Sequence, residues 1–224
     1  MKPALEAGRA EYTPGEEVAN SVIHGAGAIL AIAGLTALAA SASVRGTAWH
    51  VVGCSIFGAT LVLLYTVSTL YHSLTPSRAK DILRILDHSA IFLLIAGTYT
   101  PFTLVNFRGP WGFSLLGAVW TMAIFGIVLR VVLWRRSTAI FVGLYLLMGW
   151  LGVVPFNLVL NGVEPGGLLL LFLGGLAYTA GIGFFAWHRL PYHHAIWHVF
   201  VLTGSALHFF AILFYVIPGA APAS

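Results

Sequence analysis

Residues 50–72 read HVVGCSIFGATLVLLYTVSTLYH, a run without a single Asp, Glu, Lys or Arg. A helix needs about 20 predominantly apolar residues to cross a bilayer. In hydrocarbon every backbone N–H and C=O must be paired internally, which leaves only helices or closed barrels. Short-range alternation of apolar and polar residues is missing, and that argues against a barrel. Seven such segments can be marked, at about 18–41, 49–73, 82–105, 111–133, 137–160, 165–187 and 193–217. Charged residues make up 8% of the chain, against about 25% in a soluble domain, too few to keep a folded surface wet. The expected fold class is therefore an all-α integral membrane protein, a seven-transmembrane helix bundle.

Short breaks rich in turn formers separate the segments: SVRGTA, SLTPSRAK, NFRGP, WRRS, NGVEPGG and HRLPY. None is long enough to divide domains, and no internal repeat stands out. The expected organisation is a short cytoplasmic segment (1–17), one seven-span domain (18–217) and a tail (218–224). Nine of the eleven Lys and Arg fall at one end (Lys2, Arg9, Arg78, Lys80, Arg84, Arg130, Arg135, Arg136 and Arg189), with Arg45 and Arg108 at the other. The positive-inside rule then places the N-terminus in the cytoplasm and the C-terminus outside, in a cell membrane. The polar residues 1–20 have no apolar core, so the first span is expected to direct its own insertion. The pI near 9.5 reflects this loop asymmetry and does not call for a nucleic-acid partner.

Local signals add detail. Thr13-Pro14-Gly15-Glu16 has the form of a capping box with proline at the first helical position. Pro101 and Pro155 fall inside spans and are expected to kink them. His50 and His188 read as loop residues.

Ionisable groups inside spans are costly and usually functional. With the orientation above, His72 lies at the cytoplasmic end of span two, Asp87 near the start of span three, and His194 and His198 at the start of span seven. Three helices thus bring histidines and a carboxylate to one membrane level. His194 and His198 are four apart, so they stack on one helix face about 5–6 Å apart. Both can reach one metal ion, with His72 as a third nitrogen donor. Three protein ligands plus water is the catalytic form of a zinc site, and imidazoles suit zinc better than magnesium or calcium. The lone Cys54 offers no thiolate cluster. Asp87 is either a fourth ligand or a carboxylate hydrogen-bonded to the metal's water. Ser68, one turn before His72, either orients Asp87 or donates to a developing oxyanion.

Each residue also has a plainer reading, as an interfacial histidine or an Asp87–Arg84 pair. His193 and His88 point about 100° away from the candidates. His208 lies about 21 Å beyond His194 and is too deep for the same metal. Glu17, Asn20 and His24 share one face of the first span, either as its polar entry or as outer support for the metal and cavity wall.

The set EEVANSVIH, STLYH, ILDHS and HHAIWH resembles the hemolysin III family, the bacterial branch of the progestin and adiponectin receptor superfamily, over essentially the whole chain from Glu17. The resemblance implies seven spans with the N-terminus inside. It also implies zinc binding by His72, His194 and His198, an aspartate at Asp87 near the metal-bound water, and the motif serine at Ser68. All five positions match. The long N-terminal region of the animal receptors is lacking, so hormone binding is not implied and no protein partner is identified. Similar eukaryotic proteins hydrolyse ceramide-like amides, and bacterial members are connected with haemolysis and membrane lipid homeostasis.

Three functions follow as expectations. The first is an intramembrane zinc hydrolase of lipid amides or esters, ceramidase-like, with Asp87 and Ser68 catalytic and a membrane lipid as substrate. The second is a receptor-like or regulatory protein with a structural zinc. The third, a pore-forming haemolysin, has the least support, because the spans carry no sustained polar stripe.

Overall fold

The computed structural model describes residues 12–133 and 138–217. Residues 1–11 of the expected N-terminal segment and the expected tail 218–224 lie outside the described residues, as do Lys2, Arg9, Arg135 and Arg136 from the charge count. The described chain is an antiparallel bundle of α1 (Pro14–Arg45), α2 (Ala48–Ser73), α3 (Arg78–Leu104), α4 (Pro110–Val132), α5 (Thr138–Gly149), α6 (Phe156–Gly162), α7 (Pro165–Ala186) and α8 (His193–Tyr215). Six of these helices are each long and apolar enough to cross a membrane, and α5 with α6 forms a bent seventh. The protein is thus a multi-pass membrane protein.

Thr13 starts α1 as read from the sequence. Its hydroxyl accepts from Glu16 N–H, while Glu16 Oε2 accepts from Thr13 N–H at 2.9 Å. A second cap was not expected. His50 lies in the first turn of α2 rather than in a loop, and its Nδ1 accepts from the N–H of Thr47 at 3.0 Å.

The two in-span prolines behave differently. α3 runs through Pro101 to Leu104, because only its last residues lie beyond the missing N–H. At Pro155 the fifth span breaks: Ala139–Val153, which ends in a 3₁₀ turn at Leu151–Val153, meets Phe156–Gly162 at 63°. The expected continuous span 137–160 is therefore two helices. Tyr99 on α3 meets the break. Its hydroxyl donates to Gly149 O (2.8 Å) and accepts from Gly152 N–H (2.9 Å), replacing helix bonds that lipid cannot supply.

Packing follows chain order, α1 on α2, α2 on α3, α3 on α4 and α7 on α8, with α8 closing back onto α1. One buried cluster includes Leu38, Phe57, Tyr65 and Ile212, and a second joins Phe92, Val119, Phe141 and Met148. Large apolar residues such as Ile29, Phe125 and Phe214 face outward, as a hydrocarbon solvent allows. The buried residues of α7 are Gly167, Gly174 and Gly181. Their spacing of seven forms a narrow stripe against which α8 lays Tyr215, His208 and Trp197.

Candidate metal centre

α1, α3, α5 and α8 begin at one end of the bundle, where α2, α4 and α7 finish. His72 comes from the last turn of α2, and His194 and His198 from the first two turns of α8. One nitrogen from each lies within 4.8 Å of the others, a group disposed to hold a metal ion. The three residues are only 3%, 8% and 2% exposed. Their ring centroids stand 5.1 Å (72–194), 5.0 Å (72–198) and 4.4 Å (194–198) apart.

The outer nitrogens are all engaged. His72 Nδ1 donates to Glu17 Oε2 at 2.6 Å, and Asn20 Nδ2 lies 3.5 Å from the same nitrogen. His198 Nδ1 donates to the Asn20 carbonyl at 3.4 Å. His194 Nδ1 meets the Tyr12 hydroxyl at 3.0 Å. A carboxylate and a carbonyl can only accept, so the proton on His72 and His198 sits on Nδ1 and the lone pair on Nε2. Nε2 of His72 and of His194 is buried without a hydrogen-bond partner among the described residues. An unpaired buried polar group costs about 1–3 kcal/mol, and a cation among these nitrogens would remove that cost. The donor set therefore fits zinc: three nitrogens, with outer partners that fix ring orientation and tautomer.

Asp87 lies outside the group of three converging residues. It is buried on α3 in the wall of a cavity of about 150 Å³ that Ser68, His194, His198 and His24 also line. The Ser68 side chain is fully buried in the same cavity wall, and its hydroxyl has no hydrogen-bond partner among the described residues. From this polar end the cavity follows the apolar residues Leu64, Ile91 and Val201 as far as Trp150 and His208. At ~1.5 Å per residue, Asp87 to Tyr99 along α3 is about 18 Å. The cavity is an apolar slot with Asp87, Ser68, His194 and His198 at one end.

Glu17, Asn20 and His24 occupy one face of α1, directed at α2 and α8. His193 Nδ1 donates to Phe185 O at 3.1 Å and His88 Nδ1 to Arg84 O at 2.7 Å; neither belongs to the converging group, and His88 lines the cavity. His208 donates from Nε2 to Leu171 O at 3.2 Å, deep in the slot.

Two neighbours escaped the sequence reading. Tyr12 covers the centre, with its ring 4.8 Å from that of His194 and 6.0 Å from that of His72. Burial holds its phenol above the ordinary range, so it stays protonated. Lys80 donates to Glu17 Oε1 at 2.5 Å and to Leu74 O at 2.8 Å. In the sequence Lys80 reads only as a topology marker. The signal for Tyr12 was an aromatic residue just ahead of a capping box at the membrane level of the histidines.

Residues 12–209 match the profile of a family described as haemolysin-III related. The "Hemolysin-3 homolog" of Bacillus subtilis (strain 168) is 47% identical over 206 residues, which is 92% of this chain and 97% of that protein. "Hemolysin-3" of Bacillus cereus is 48% identical over 205 residues, 92% and 94% of the two chains. The human "Monocyte to macrophage differentiation factor" is 30% identical over 217 residues, 93% and 88% of the two chains.

Proposed function

Because the chain belongs to the haemolysin-III related family of membrane proteins, we propose that it is a zinc-dependent hydrolase of lipid amides or esters, acting at the cytoplasmic side of the membrane in lipid homeostasis. One observation carries this reading. Three buried imidazoles, two of them with an inner nitrogen that has no partner among the described residues, converge at the head of an apolar cavity that Asp87 and Ser68 also line.

His72, His194 and His198 would hold the metal. Bound there, zinc supplies Lewis acidity toward a carbonyl oxygen. Glu17, Asn20 and Tyr12 hold the three rings in the ligating tautomer. Asp87 takes a proton from the attacking water as its oxygen bonds to the acyl carbon. It returns that proton to the leaving nitrogen or oxygen as the C–N or C–O bond breaks. Ser68 holds Asp87 in line or donates to the carbonyl oxygen. The apolar slot seats the acyl chain and keeps other water out.

The alternative is a receptor-like protein in which zinc only ties α2 to α8. The origin of the ligands on two helices far apart in sequence favours that reading. The test compares wild type, the His72/His194/His198 triple alanine variant and Asp87→Asn for zinc content and lipid hydrolysis. The enzyme requires about one zinc per chain in wild type and in Asp87→Asn, none in the triple variant, and turnover in wild type alone. Turnover by the metal-free triple variant refutes it. Zinc without turnover in any form leaves the structural reading.

A further inference from the structure

His24 is a buried histidine whose hydrogen-bonding capacity no described residue uses. It is 3% exposed, and neither ring nitrogen has a hydrogen-bond partner. Its ring stacks on His198, with centroids 3.5 Å apart and planes at 14°, and meets the edge of Tyr65 at 5.0 Å. It is not among the three residues that converge on the metal position. It does line the same cavity as Ser68, Asp87 and His198.

Stacking alone does not account for an imidazole here. A phenyl ring would support His198 as well, without burying two polar atoms. Asn20, one turn earlier on the same face, directs its side-chain Nδ2 at His72 Nδ1, 3.5 Å away. What His24 adds over an apolar ring is a pair of nitrogens without partners among the described residues, on a ring that lines the cavity.

We infer that His24 is a ligand-binding residue, a hydrogen-bonding contact for the polar head of the molecule that fills the slot. A neutral imidazole carries one donor and one acceptor. It therefore selects a head group that both donates and accepts, such as a hydroxyl or an N–H beside a carbonyl, over one that only accepts. The inference rests on the proposed reading in taking the slot's occupant to be a lipid-like molecule whose head lies beside the bound metal. It does not require that molecule to be hydrolysed.

The test measures binding to the full-length, zinc-loaded protein in nanodiscs. The probes are dodecanohydroxamic acid and its N-methyl analogue, which lacks the N–H donor. Wild type should bind the N–H compound about tenfold more tightly, the value of one buried hydrogen bond. His24→Phe should keep its zinc and bind the two probes alike, and His24→Gln should recover part of the preference. A preference that persists in His24→Phe is steric and overturns the inference. So does wild-type affinity for both probes in that variant, or loss of zinc from both His24 variants, which would make His24 a support for His198. Discrimination by wild type without any lipid hydrolysis would sink the enzyme and leave His24 as the ligand contact.

Discussion

Glu17→Gln tests whether the outer contacts tune the metal centre or only clamp helices. Glu17 accepts from His72 Nδ1 at 2.6 Å through one oxygen and from Lys80 at 2.5 Å through the other. Glutamine keeps an oxygen for His72 but removes the negative charge that makes the imidazole a stronger ligand. Losing an outer-shell partner typically costs about 10–100-fold in metal affinity. Retention of the hydrogen bond puts Glu17→Gln near the lower value, about 1.4 kcal/mol, and Glu17→Leu near the upper. Lys80→Met breaks the same clamp from the other side while leaving the carboxylate on His72. The Lys80 ammonium and the Glu17 carboxylate are 14% and 19% exposed. A pair so placed contributes about 1 kcal/mol or less to stability, and Lys80→Met should hold zinc within about threefold of wild type. Competition against a chromogenic chelator in detergent gives the affinities, and thermal unfolding of the same samples gives the clamp. Equal zinc weakening by Glu17→Gln and Lys80→Met would refute the argument, because the clamp is all they share.

Tyr12→Phe removes one hydroxyl from His194 Nδ1 and should lower zinc affinity by about tenfold. Tyr12→Ala also uncovers the centre and should speed zinc loss to chelator beyond the phenylalanine variant; identical loss rates would refute the covering role. At Gly53 an added Cβ would stand 2.8 Å from Pro101 Cα, which is backbone and cannot yield. Gly53→Ala should therefore push α2 off α3 and cost about 1–3 kcal/mol, whereas Gly143→Ala, with nothing within 4 Å, should not. Unfolding temperatures of the two variants in detergent decide this, and equal values would refute the close approach.

The bundle was legible in the sequence because its largest physical constraint is one-dimensional. A span's length and its lack of charge can be read along the chain, as can the capping box at Thr13. The gathering of His72, Asp87, His194 and His198 could be read because alternating spans assign each residue a depth. Depth does not give azimuth. It could not say that Asp87 would line the cavity with His194 and His198 yet stay outside the group of three converging nitrogens. Nor could it show that Tyr12 would lie over them, or that Lys80 would reach Glu17 63 residues away. Pro155 announced a bend, but the full break depends on Tyr99 from another helix satisfying the freed backbone. A single-helix pattern cannot contain such a partner.

α1 contributes none of the converging nitrogens, yet much of the centre's geometry depends on where it begins. Glu16 accepts from Thr13 N–H through one oxygen and from Tyr192 N–H through the other, both at 2.9 Å. One carboxylate therefore sets the first turn of α1 and holds the residue that precedes α8. Tyr192 sits at φ 58°, the one positive-φ residue other than glycine among those described. Without a constraint a tyrosine avoids that region. The turn it makes delivers His194 two residues later. From the same start, Glu17, Asn20 and His24 come round on α1 at intervals of three and four, which keeps them on one face. A shift of one residue in the start of α1 would rotate that face by about 100°. Glu17 would leave His72 and Asn20 would leave His198. The exposed cap at Thr13 and Glu16 thus bears on the buried centre through helix register, without touching it.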